Sequence, residues 1–227
     1  MFPIRDNIRS CSTPFVMYAL IVLNAAVFLQ EIAAGDVAME KIVRAFGLVP
    51  FDFLQGFAND FTQPVIWLPL VSNLFLHGGW LHLLGNMWYL KIFGDNVEDR
   101  MGHGGFLAFY LFCGVAANIM QIVVDPTSRI PTIGASGAIS GVLGAYFVLF
   151  PSAKISTVVF LFFFITIVDL PALIFLAFWF FMQLESGVAS IVTMGTNVAW
   201  WAHIGGFLSG MAIGVWQRNT SKINIRK

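Results

Sequence analysis

Residues 155–184 read ISTVVFLFFFITIVDLPALIFLAFWFFMQL, and the number of times this stretch crosses a membrane sets the architecture of the whole chain. Its only charged or amide side chains are Asp169 and Gln183, and Pro171 interrupts it. As one straight helix rising ~1.5 Å per residue it would run about 45 Å, too long for one upright span. Either it crosses twice, or it crosses once with an interfacial lead-in. Composition puts the chain in a membrane. Its 227 residues are 58% hydrophobic and 11% charged, with a mean hydropathy of +0.82. A soluble domain is nearer to about 45–50% apolar and about 25% charged. The expectation is an integral membrane protein of one domain.

The flanking sequence supplies the other spans. Pro14–Gln30 is a first one, with proline at a helix start where its missing N–H costs nothing. Two arginines precede it and no small-residue cleavage site follows, so it reads as a retained span rather than a signal peptide. Glu31–Pro64, with Asp36, Glu40, Asp52 and Asp60, is a long connection outside the hydrocarbon. Trp80–Phe93 is a span interrupted by His82, Asn86 and Lys91. Gly104–Val124, Ser136–Phe150 (closed by Pro151) and Asn197–Trp216 complete the set.

Charge decides the ambiguous stretch. With a single crossing there are six spans and both termini are cytoplasmic. The inner segments then hold Arg5, Arg9, Lys91, Arg100, Lys154, Arg218, Lys222, Arg226 and Lys227, and the outer ones only Lys41, Arg44 and Arg129. Nine against three obeys the positive-inside rule. A second crossing would put the basic tail outside. The expected fold is therefore all-α, a polytopic six-transmembrane-helix bundle with a long first outer loop. Residues 1–13 form a cytoplasmic segment, 14–217 the membrane domain and 218–227 a basic cytoplasmic tail. The fifth span is Pro171–Leu184, and Ile155–Val168 lies near the inner surface.

Zero net charge and the lack of a basic tract exclude nucleic acid as a partner. Cys11 and Cys113 are far apart with no CxxC, so neither a disulfide framework nor a zinc site is expected.

Polar groups within a bilayer are expensive and point to function. His82 and Asn86 are four apart, on one helix face. Ser136 opens the fourth span within GASGA, and His203 lies one to two turns into the sixth. In the six-span topology, spans two, four and six all run inward, so these four residues share one depth below the outer surface. Small residues at Gly137, Gly141 and Gly144, and at Ala202, Gly206, Gly210 and Gly214, would let the fourth and sixth spans pack backbone to backbone. A Ser136–His203 hydrogen bond of about 2.6–3.2 Å is then feasible, with His203 as base for a serine nucleophile.

No carboxylate lies at this depth in the neighbouring spans, so a Ser–His dyad is expected, its imidazole oriented by packing or a backbone group. Oxyanion donors would be the Ser136 N–H at a helix N-terminus, the Asn86 amide and a His82 ring N–H. Gly134 and Gly137 leave the backbone open to a substrate. GASGA is neither the GxSxG elbow nor a phosphate loop. Taken singly, Ser136 is more often a packing residue, Asn86 interhelical glue, and His203 equally a transporter's relay group. His77 reads as structural, His103 as solvated, and Trp80, Trp200 and Trp201 as an interfacial belt.

At these residues the chain resembles the rhomboid family of intramembrane serine proteases. The motifs are FLHGGWLHLLGNM (Phe75–Met87), GDNVEDRMG (Gly94–Gly102), GASG (Gly134–Gly137) and AHIGG (Ala202–Gly206). The resemblance implies Ser136 as nucleophile, His203 as base, and His82, Asn86 and the Ser136 N–H as the oxyanion site. It also implies Gly206 as a close-packing glycine, and Glu98 with Arg100 as a structural polar pair of the inner loop. Glu31–Gly79 resembles the family's first loop. Cleavage of other membrane proteins within or beside their spans, without metal or nucleotide, follows by the same resemblance. Where some members carry an aromatic four residues after the serine, this chain has Ser140, so the resemblance leaves two alternatives: a base held less firmly, or one held by another ring such as Trp200 or Trp201. The alternatives are an inactive family member that binds membrane clients, or a transporter.

Overall fold

The computed structural model describes residues 1–161, 164–193 and 198–225. Pro171 divides the ambiguous stretch into two kinds of structure. The first half is rich in β-branched and aromatic residues, which suit a pleated surface. It forms a hairpin of β2 (Lys154–Leu161) and β3 (Phe164–Pro171), antiparallel from Lys154↔Pro171 to Leu161↔Phe164. The N-terminal strand β1 (Phe2–Asp6) pairs antiparallel with the other edge of β2, giving the order β1-β2-β3. The protein is predominantly helical, but this sheet has no counterpart in the all-α expectation. A continuous apolar run has no periodicity to separate strand from helix.

The remaining elements are helical. They are α1 (Phe15–Ala34), α2 (Asp36–Phe46), α3 (Pro50–Asp60), α4 (Pro64–Trp67), α5 (Pro69–Ser72), a 3₁₀ turn (Asn73–Phe75), α6 (Trp80–Met101), α7 (His103–Val124), α8 (Ser136–Leu149), α9 (Ala172–Thr193) and α10 (Trp200–Ile225). The six expected spans fall in α1, α6, α7, α8, α9 and α10. Among the described residues, α1, α7 and α9 are long and apolar enough to cross a membrane. Helix α8 is apolar but has 14 residues. Asn197, the expected start of the sixth span, and Arg226 and Lys227 of the tail lie outside the described residues.

Helix α6 runs two turns past its expected end at Phe93 because the polar residues there have partners. The Asn96 amide donates to the Asp6 carboxylate at 2.8 Å. The buried Glu98 carboxylate accepts the N–H groups of Val16 (2.9 Å) and Met17 (2.7 Å), two of the donors that the first turn of α1 leaves unpaired. His103 Nδ1 lies 2.6 Å from the same carboxylate, so this half-exposed histidine is partnered rather than merely solvated. The polar contact expected between Glu98 and Arg100 is thus made instead with the start of α1 and His103, and Arg100 is exposed.

Helix α8 is the centre of the bundle, buried without a break from Gly137 to Tyr146. Its small residues meet those of α10 at backbone distance. A methyl group on Gly206 would overlap the Gly137 carbonyl oxygen, and one on Gly210 the Gly141 carbonyl oxygen. Large rings fill the remaining space, Phe93 against Tyr146 and Phe175, and Phe180 against Phe207.

Candidate active site

Ser136 is the first residue of α8, and what precedes it fixes its position. Leu48 and Thr132 exchange backbone hydrogen bonds of 3.0 and 2.7 Å, tying the first connection to the segment before α8. Gly134 N–H donates to the Asn73 carbonyl at 2.8 Å, and the Asn73 and Asn118 amides donate to one another at 2.9 Å each. Gly134 has φ +116°, a conformation that favours glycine, and a Cβ there would lie 2.6 Å from His82 Nε2. The close approach that brings the His82 ring over this turn therefore requires glycine.

The backbone contact between α8 and α10 carries His203 to Ser136. His203 Nε2 lies 2.8 Å from Ser136 Oγ, a hydrogen bond of the length a serine and its base would need. On the other side of the ring, Nδ1 lies 2.8 Å from Gln183 Oε1 of α9. Trp200 stands edge-on to the imidazole at 5.9 Å between centroids, as one of the two expected rings, and Trp179 adds a tilted contact at 6.3 Å. Ser140, in the place of the aromatic, is buried and donates its hydroxyl to the Ser136 carbonyl at 2.7 Å.

His82 Nδ1 accepts the Gly78 N–H at 3.4 Å, which leaves Nε2–H facing the cleft. Asn86 Nδ2 lies 3.0 Å from His77 Nε2, leaving its second N–H free of that bond. His77 is buried, and its backbone N–H donates to the buried Glu31 of α1 at 3.3 Å. Ser136, His203, His82, Asn86, Gly134, Gly137 and Gln183 line one cavity of about 1140 Å³. Gly206 is not on its wall; it packs against Gly137 from behind.

The structure thus brings the expected polar site residues and Gly134 and Gly137 to one cavity, with Gly206 behind it, and adds roles for Gln183, given none in the sequence reading, and for His77, read there only as structural. Gln183 gave a signal, as one of two strongly polar side chains in a long apolar stretch. The expectation is that packing or a backbone group orients the imidazole; Trp200 and Trp179 pack on the ring, and a side-chain amide lies within hydrogen-bond distance of Nδ1 as well. His77 gave no such signal of a partner, since it falls in a turn before α6 rather than within a span.

A helical membrane bundle with a serine hydrogen-bonded to a histidine across two closely packed helices, at the wall of a large cleft, defines the class. The chain belongs to the rhomboid family: the rhomboid domain model matches residues 65–219. It is similar to Rhomboid protein 1, mitochondrial, of Saccharomyces cerevisiae, at 28% identity over 206 residues, covering 88% of this chain and 52% of the relative. Presenilin-associated rhomboid-like protein, mitochondrial, of Homo sapiens is 27% identical over 192 residues, covering 80% and 47%. Rhomboid-like protein 11, chloroplastic, of Arabidopsis thaliana is 41% identical over 75 residues, covering 33% and 26%. The chain spans about half or less of the length of these relatives.

Proposed function

We propose that the protein is an intramembrane serine endopeptidase that cleaves membrane-spanning clients by Ser136 and His203. The observation that carries this reading is the 2.8 Å contact between Ser136 Oγ and His203 Nε2 at the wall of a cleft. His203 takes the hydroxyl proton as Oγ attacks the scissile carbonyl carbon. The Ser136 N–H, at the start of a helix where no intrahelical carbonyl can reach it, donates to the developing oxyanion, with His82 Nε2–H and the free Asn86 N–H as further donors. His203 then delivers its proton to the leaving amine as the C–N bond breaks. A water, deprotonated by His203, releases the acyl group by the reverse sequence.

Depth follows from length. At ~1.5 Å per residue, α8 is about 21 Å long against a hydrocarbon core of about 30 Å. With the inner end of α8 at the inner interface, Ser136 lies below the outer surface yet open to water through the cleft. Both termini are then cytoplasmic and the site faces outward, in the cell membrane. The names of the relatives place those proteins in mitochondria and chloroplasts. A client carbonyl must leave its own helical hydrogen bond to reach Ser136, so glycine or proline in the client should favour cleavage.

Covalent labelling of purified protein with a fluorophosphonate, read by intact mass, tests the reading. Labelling lost in both Ser136→Ala and His203→Ala supports an activated serine. No labelling of folded wild type would turn the reading toward a client-binding family member without cleavage, or toward a transporter.

A further inference from the structure

We infer that Gln183 is the positioning residue of the base, so that the site works as a Ser–His–Gln triad with no formal charge at rest. The inference rests on the protease reading for what the base does, but the geometry of the ring stands by itself. Gln183 is buried and makes two hydrogen bonds through the two ends of its amide. Its Nε2 donates to the Trp179 carbonyl oxygen, one turn back on α9, at 3.3 Å. Its Oε1 faces His203 Nδ1 at 2.8 Å. The reversed amide would set two carbonyl oxygens against each other at Trp179, so the donor end is fixed toward Trp179 and the acceptor end toward the imidazole.

That polarity decides the tautomer. An acceptor at Nδ1 requires the proton there, and the lone pair is then on Nε2, facing Ser136 Oγ. The other tautomer would set a lone pair against Oε1 and an N–H against the hydroxyl that must surrender its proton. An aspartate in this place would hold the same tautomer, but an ionised carboxylate within the bilayer costs far more than a neutral amide that has both its hydrogen bonds. Gln183 is also on a different helix from either partner, so the imidazole is gripped between α8 and α9 rather than only stacked upon.

The test reads the ring directly. Protein with ¹⁵N-labelled histidine, in lipid nanodiscs, is examined by NMR for which ring nitrogen of His203 bears hydrogen, with His203→Ala identifying the signal. Hydrogen on Nδ1 in wild type, lost or mixed with Nε2–H in Gln183→Leu, is the expected result. Hydrogen on Nε2 in wild type overturns the inference, whether or not either variant folds. The measurement needs no cleavage, so its failure is distinct from a failure of the protease reading. Turnover of a fluorogenic model transmembrane peptide supplies the second readout. Gln183→Leu should lower kcat by about tenfold with KM unchanged, and Gln183→Glu, which keeps an acceptor oxygen, should recover most of it. Full kcat in folded Gln183→Leu, or Gln183→Glu no better than Gln183→Leu, would reduce Gln183 to a packing residue.

Discussion

At the scale of single residues, the protein reads as a set of polar groups that an apolar chain would otherwise exclude. Ser136, His203, His82 and Asn86 were legible in sequence because each is out of place in its span, and spans of one direction put them at one depth. His82→Ala and Asn86→Ala are each expected to raise the barrier to cleavage by about 2.7–4 kcal/mol, the cost of an oxyanion donor elsewhere. Steady-state turnover of a model substrate in proteoliposomes checks this, and normal rates in both would remove them from the oxyanion site. His77→Leu should reproduce part of the Asn86 defect, because the ring that holds the Asn86 amide is lost. Glycine tells the same story from the other side. At Gly134, the positive φ and the His82 ring leave no room for a side chain. Gln183 and His77 were seen in the sequence without their partners, because their roles are relational. A glutamine in an apolar stretch cannot be assigned a partner until the helix that carries it is placed beside α10.

At the scale of elements, the contacts that hold the site together are backbone contacts. Gly206→Ala forces a methyl group onto the Gly137 carbonyl, and overpacking of this kind costs about 1–3 kcal/mol. Thermal unfolding in detergent should show it as a lowered midpoint, with turnover falling as α10 is pushed from α8. The start of α1 depends on Glu98 in the same way. Glu98→Ala strips the Val16 and Met17 N–H groups of their acceptor and should cost about 1–3 kcal/mol, read in the same unfolding experiment.

Strand β1 adds a pH dependence. Burial pushes the Asp6 carboxyl above its usual range, against the opposing effect of the Tyr146 hydroxyl that donates to it at 2.5 Å. A raised pKa means that the folded state binds the proton more tightly than the unfolded one, so stability falls as pH rises through the carboxylate range toward the raised value. Unfolding midpoints between pH 4 and 7 should show this fall in wild type, and Asp6→Asn should make it shallower. Strand β1 and the hairpin were not legible in sequence. Residues 2–6 carry no strand pattern of their own and become a strand only because β2 offers an edge.

At the scale of the whole molecule, each of the six expected spans falls in a helix, three of them long and apolar enough to cross a membrane among the described residues, and the single crossing expected for residues 171–184 falls in α9. The bundle helices alternate in direction along the chain, and that alternation brings the N-terminal ends of α6, α8 and α10 to one side. What sequence could not supply is how far each helix runs. Helix α6 is extended past its apolar part by tertiary partners, and α8 is short because Gly134 and Pro151 bracket it. Both termini should therefore be on one face. Single cysteines placed at residues 10 and 219 of a Cys11→Ser variant should react with a membrane-impermeant maleimide from the same side of sealed vesicles, and labelling from opposite sides would overturn the topology.

The all-neutral machinery has an electrical consequence. A unit charge carried across a membrane potential of 100 mV changes energy by about 2.3 kcal/mol, which would scale a rate nearly fiftyfold. Serine, amide and uncharged imidazole offer such a field nothing to pull on. In the proposed mechanism the proton passed from Ser136 to His203 crosses a single hydrogen bond of 2.8 Å, a small part of the bilayer. On the proposed mechanism, cleavage of an uncharged client should therefore proceed at one rate in energised and in depolarised vesicles, indifferent to the voltage of the membrane around it.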